Sequence, residues 1–336
     1  PTKLTENSAF VTMVHHFDDN WRFTGQLAYI TSRQIGQSLW PSGFSANKDT
    51  LQRGTTIWDY EGGSKVGQFF VNGDIYTGTV KHRILAGIDM GDKSFYHDWM
   101  QGGALPGLNI YNPVYGQVAA SQYPVFDRSL SLRQRGVHYR QSYMGYYAQD
   151  EVSLFREKLR FTLAGRYTTA TDLDPYSGSI EASKFTPRLG LTWMPDKNTS
   201  AYAVYDQAFV PQAGADIDGN SFKPVTGDNV ELGLKREWLG GNWVTSLSAY
   251  RITKNNVLTA DPDNFNFSVQ LGQTVTKGIE FDIRGQITDQ LNLTANYAYT
   301  DGVVTKDTDP AKVDVTIPGI STHIANGWLT YRFSKT

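Results

Sequence analysis

Between Leu159 and Tyr167 every second residue is apolar or glycine (Leu159, Phe161, Leu163, Gly165, Tyr167), and between them stand Arg160, Thr162, Ala164, Arg166 and Thr168. A period of two sends successive side chains to opposite faces of a strand. The same alternation runs through Leu291–Tyr299, Ile279–Ile287, Trp21–Tyr29 and Phe185–Trp193. No segment keeps a helical period. The pattern predicts about 13 strands, near 7–16, 20–32, 64–80, 83–97, 139–155, 159–171, 183–195, 199–210, 227–238, 242–254, 267–287, 291–302 and 320–334. Many exceed the roughly 5 to 6 residues usual in globular sheets and match the roughly 9 to 11 that a tilted strand needs to cross a bilayer.

The connections sort by length. Short ones are expected at 17–20, 81–82, 156–158, 195–198, 240–241 and 288–290, and long ones at 33–63, 98–138, 172–182, 211–226, 255–266 and 303–319. They alternate strictly, as in outer-membrane barrels, whose periplasmic turns are short and whose extracellular loops are long. Tyr29, Trp193, Tyr202, Trp238, Trp243, Tyr299, Tyr331 and Phe333 fall near strand ends, where aromatic girdles belong. Arg160, Arg166, Arg188, Glu231, Lys235, Glu280, Asp282 and Arg284 occupy the other face. A basic residue facing lipid at mid-bilayer costs roughly 2 to 4 kcal/mol, so this face is expected to line a wet or plugged lumen, its charges paired between strands.

Composition narrows the classes. Of 336 residues 13% are aromatic and 19% charged, net charge is −2, and mean hydropathy is −0.41. No stretch approaches the roughly 20 continuous apolar residues of a bilayer helix. No basic field argues for nucleic acid as a partner. With no cysteine, disulfide scaffolds and thiolate metal sites are excluded. The chain starts at Pro1, so any targeting segment is expected to lie outside it. Both outer strands would leave unpaired backbone in lipid, which is not tolerated, so either flanking strands belong to the protein outside this sequence or the strand count differs from 13.

Several stretches resemble the TonB-dependent siderophore receptors. Gly145-Tyr-Tyr-Ala-Gln149-Asp150-Glu151 followed by Leu163-Ala-Gly-Arg166-Tyr167 is similar to a hairpin of that family. Phe185–Leu191, Tyr202–Pro211, Val230–Lys235, Ile252–Val257, Gly278–Phe281 and Ala295–Thr300 look like its successive barrel motifs, and Asn112-Pro-Val-Tyr115-Gly116 resembles a segment of its ferrichrome and hydroxamate branch. The resemblance implies an all-β, transmembrane antiparallel β-barrel of about 22 strands, of which residues 1–336 would be the central part, about 13 strands. It also implies an N-terminal plug and TonB box, neither of which occurs in this sequence, and closing strands beyond it.

Chemistry-bearing constellations are sparse. His15 and His16 are adjacent, hence on opposite faces of a strand. Asp172/Asp174, Asp261/Asp263, Asp307/Asp309 and Asp216–Asn220 offer oxygens suited to a cation but read better as solvated turns. No Walker loop, HExxH or GxSxG occurs, so no enzyme is expected. Aromatic residues gather in the long loops. Tyr60, Tyr96, Trp99, Tyr111 and Tyr115, bordering the two longest, are the preferred ligand contacts, since aromatic faces suit a bulky, partly apolar chelate. Gln149 and Asp150 read as barrel wall.

The family implies an outer-membrane receptor for a ferric siderophore. The iron arrives already chelated, so no cofactor or protein metal ligand is required. Implied partners are TonB, reached through the plug and its box, and membrane lipid and lipopolysaccharide, around a monomer. The alternatives are a passive porin or substrate-specific channel, and a surface barrel that binds a protein or phage.

Overall fold

The computed structural model describes residues 2–176, 178–264 and 266–333. One antiparallel sheet contains β1 (Lys3–His16), β2 (Trp21–Phe44), β3 (Thr50–Thr77), β4 (Val80–Ala104), β5 (Leu108–Asn109), β6 (Val137–Leu154), β7 (Leu159–Asp174), β8 (Gly178–Asp196), β9 (Thr199–Val210), β10 (Val225–Trp238), β11 (Trp243–Ala260), β12 (Ser268–Thr288), β13 (Leu291–Lys306) and β14 (His323–Tyr331). Each long strand pairs with its sequence neighbours from β1 to β14, and the two-residue β5 pairs with β3. This up-and-down order is the meander of a barrel wall, with β1 and β14 as its edges among the described residues. All 13 expected strands are present and β5 is the addition; residue 334, the end of the last expected strand, lies outside the described residues.

Register separates the faces. Leu163 stands opposite Leu189, which stands opposite Tyr205, and Leu27 lies between Val11 and Gly67. These side chains form an apolar face that stays half or more exposed at Leu163, Leu27 and Phe185. On the reverse face, Arg166 reaches Asp89 at 2.7 Å, Arg188 reaches Asp206 at 3.5 Å and Arg160 lies 3.9 Å from Glu151, paired as expected, whereas Glu231, Lys235, Glu280, Asp282 and Arg284 form no ion pair among the described residues. Tyr202 departs from its expected girdle role. It sits on this polar face opposite Gly233, and its hydroxyl donates to Glu231 at 2.6 Å.

The largest departure concerns length. Residues 33–63, expected as a loop, are almost wholly strand: β2 and β3 pair from Trp21–Gly73 out to Phe44–Leu51 and leave only 45–49 as the connection. Beyond the expected girdle no lipid face imposes an apolar period, and Arg33-Gln34-Ile35-Gly36-Gln37 carries none; one face of β3 is instead covered by residues of the following long connection. In the same way β7 runs on to Asp174 and β8 begins at Gly178, both within the expected loop 172–182. The β3–β4 turn is Gly78–Thr79 rather than 81–82. Gly78 takes φ +62°, a left-handed conformation that glycine adopts without a Cβ penalty, and Lys81 already belongs to β4, bonded to Asp74 at 2.9 Å.

Candidate ligand-binding site

The site lies where β3, β4 and β6 rise past the girdle level marked by Tyr29. On the polar face, Tyr60 packs on Phe95 (ring centroids 5.2 Å) and Phe95 stacks on Tyr139 (5.0 Å). Tyr139 also stacks on His97 (5.2 Å) and meets Tyr176 edge-on at 6.2 Å. Cross-strand register builds this row, because Tyr60 is opposite His97 and Phe95 is opposite Tyr139. Gly62 lies opposite Phe95 and lets the rings settle, since an added Cβ there would overlap the Phe95 side chain. Lys93 places its ammonium 5.3 Å from the Phe95 ring centre, a cation–π contact at the lower edge of the row. Desolvation pushes the Tyr60 and Tyr139 hydroxyls above the ordinary phenol range, so both stay neutral donors at physiological pH.

Trp99 shares the face and lies opposite Trp58, with its Nε1 donating to Thr56 Oγ1 at 2.6 Å. Tyr96 is one residue out of phase and takes the opposite face, where it stacks on His138 at 4.4 Å beneath the Arg133 guanidinium. Tyr111 and Tyr115 ride the loop after β5, 81% and 75% exposed, and take no part in the ring row. Of the five residues chosen from sequence, Tyr60 alone joins the row and Trp99 extends its face. Phe95, His97 and Tyr139 escape a choice made by nearness to the long loops, because neighbouring positions alternate in face and nearness does not say which of them meet across strands. The signal that finds them is register: Tyr60 and Tyr139 each stand across from β4 residues of one parity.

The connection from 105 to 136 folds back over the other face of β3. Asp59, 5% exposed in side chain and backbone together, accepts two hydrogen bonds from Arg128 (2.9 and 3.0 Å), and Arg135 bridges Asp59 to Asp98. Phe126 is buried beneath these guanidiniums and Thr55 donates to the Gln122 carbonyl at 3.0 Å. Phe126 therefore serves loop packing and is not available to a ligand. A four-residue helix, α1 (Leu132–Arg135), closes the connection; Gln134 accepts from the Ser131 amide and hydroxyl.

Elsewhere the residues singled out from sequence are structural. Gln149 lines a cavity of about 320 Å³ on the polar face with Arg166 and Arg188, while Asp150 binds His82 at 2.8 Å on the other face. Asp216 accepts from the amides of Asp218 and Asn220, and Asp261 from those of Asp263 and Asn264, closing turns on themselves.

A twisted antiparallel meander with one apolar and one charged face, short turns at one end and extended structure at the other, defines the wall of a membrane β-barrel. The chain belongs to the TonB-dependent receptors: residues 2–335 match the family's β-barrel, described as TonB dependent receptor-like, beta-barrel. It is 31% identical over 337 residues to the ferrioxamine B receptor of Salmonella typhimurium (strain SL1344), a match covering 97% of this chain and 45% of that protein. It is 30% identical over 269 residues to the ferrichrome outer membrane transporter/phage receptor of Escherichia coli (strain K12), covering 76% and 34%. The fold matches the crystal structure of the ferric preacinetobactin receptor from Acinetobacter baumannii with a TM-score of 0.83 at 21% identity, over 98% of this chain and 50% of that one. The chain thus spans less than half the length of these two curated relatives.

Proposed function

We propose that this chain is the central wall of an outer-membrane receptor that takes up a ferric siderophore of the hydroxamate class. The observation that carries the reading is the row of Tyr60, Phe95, His97 and Tyr139 on the lumen-side face of β3, β4 and β6, just beyond the expected membrane band. A ferric trihydroxamate is compact, chelated on all sides and apolar over much of its surface, so stacked rings with a few hydroxyl donors suit it and no metal ligand from the protein is needed. The related ferrioxamine B and ferrichrome proteins support that ligand class. The family match favours a gated receptor over a passive channel or a purely adhesive barrel.

In this reading residues 1–336 form the central wall of a larger, monomeric barrel of about 22 strands in the outer membrane, closed around a plug. The barrel performs no chemistry: rings and loops capture the chelate, and TonB acts on the plug through its box. The test is quenching of intrinsic fluorescence by ferrioxamine B and ferrichrome. Tyr139→Ala and Tyr60→Ala are each expected to weaken binding about tenfold, in line with the roughly 0.5–1.5 kcal/mol of an aromatic pair plus lost apolar contact. Unchanged affinity for both chelates in both variants would reject the site.

A further inference from the structure

Three of the histidines commit a ring nitrogen inside the sheet: His82 to Asp150, His138 to Ser94 and His323 to Tyr297, each at 2.8 Å. His97 commits neither. It is half-buried in the ring row, inclined 25° to Tyr139 at 5.2 Å and 32° to Phe95 at 6.2 Å, yet its nitrogens have no hydrogen-bond partner among the described residues. Stacking therefore fixes the ring and leaves its polar edge for a group in the lumen. The charges around it are few. Tyr60 on β3 and Tyr139 on β6 are neutral, Val137 stands directly across the ladder, and Lys93 lies four residues down β4 at the lower edge of the row. Past Tyr139 come Asp172, which accepts from Gln141 at 3.2 Å, then Asp174 and Tyr176. Glu61 and Asp98 turn to the opposite face, where Arg133 and Arg135 hold them. Histidine is the side chain whose charge changes between pH 5 and 8, while carboxylates, lysine and phenols ordinarily hold one state across that range. His97 is thus the one member of the row that can change its charge there.

We infer that His97 sets the charge selectivity of the ring row among hydroxamate chelates. As a neutral imidazole it presents one donor and one acceptor to the amide and hydroxamate groups of a chelate, whatever the net charge of that chelate. As an imidazolium, held between the Tyr139 and Phe95 rings by cation–π attraction, it presents two donors and a positive charge, which opposes a cationic chelate and not a neutral one. Lys93 adds the same sign at every pH, so the histidine is what makes the selection vary. Two like charges about 8 Å apart at an effective dielectric constant of about 40 weaken binding roughly fivefold. The inference rests on the reading of the row as the chelate site.

The experiment compares ferrioxamine B, whose pendant ammonium makes the ferric complex cationic, with its N-acetyl derivative, which has the same iron-binding core and no net charge. Quenching of the intrinsic fluorescence of the full receptor is read for both at pH 8 and pH 5.5. The ratio of the two dissociation constants is expected to move about fivefold against ferrioxamine B on going to pH 5.5. In His97→Gln, whose amide keeps a donor and an acceptor, the ratio should be the same at both pH values. In His97→Lys it should take the acid value at both. A wild-type ratio that does not move between the two pH values would overturn the proposal without relying on any variant. So would a move in favour of ferrioxamine B, or a move that persists undiminished in His97→Gln and so belongs to another group. The heat-dependent gel shift of a folded barrel, measured in parallel, checks that variants fold. Failure of the site reading itself shows separately, as unchanged affinity for both chelates in Tyr60→Ala and Tyr139→Ala at pH 8.

Discussion

Asp59 shows how one carboxylate organises a long connection. Its burial works to raise the carboxyl, and the hydrogen bonds and charges of Arg128 and Arg135 outweigh that, leaving it below the ordinary carboxylate range. A group whose pKa is lowered in the folded state contributes stability that is fully present above its unfolded value, about 4, and lost as pH falls through the folded one. Limited proteolysis of the 105–136 connection is therefore expected to stay slow from pH 8 to 5 and to accelerate below about pH 4. Asp59→Asn should remove the charge pairing at every pH and loosen the connection by on the order of 2 kcal/mol, read as faster cleavage at pH 7 with no change in barrel melting. Proteolysis equal to wild type would show that the remaining contacts, Thr55, Phe126 and the Arg53–Pro106 hydrogen bond among them, suffice to hold the segment. This clamp was not legible in the sequence, since Arg128 and Arg135 reach a residue roughly 70 positions earlier and no local pattern encodes that.

Among the elements, legibility followed solvent. Where lipid meets one face and a polar lumen the other, as along Leu159–Thr168, alternation marked strands to within a few residues. Along Arg33–Gly63, where the 105–136 connection packs on one face of β3 and no lipid face imposes a period, alternation vanished and a paired strand read as a loop. The site suffered for the same reason: Tyr60 was found through a supposed loop border, while Phe95 and Tyr139 needed register. Register also explains a recurrent packing device. The Trp243 ring lies over Gly285 directly across the ladder, where an added Cβ would overlap it. Gly285→Leu should displace that ring and destabilise the barrel by about 1–3 kcal/mol, seen as a lower midpoint of the heat-dependent gel shift. An unchanged midpoint would mean the ring moves aside freely into lipid.

For the molecule as a whole the decisive property is that its two faces serve different solvents. Leu163→Arg, in the middle of the apolar face, is expected to cost about 2–4 kcal/mol in refolding into lipid vesicles. Thr186→Arg, on the polar face beside Arg166, should cost far less in the same assay, because hydration remains available there. Equal penalties would mean that the two faces do not differ in solvent.

The paired extension of β2 and β3 has a thermodynamic consequence for capture. Residues 33–44 and 50–63, 26 positions that could have been a mobile lid, are held in a ladder beforehand, so their conformational entropy is surrendered on folding and would not be charged to binding of the proposed chelate. In the proposed receptor this side would meet a ligand as a fixed wall, and any closure would fall to the other connections, where residues 211–224 and 307–322 are not in long strands.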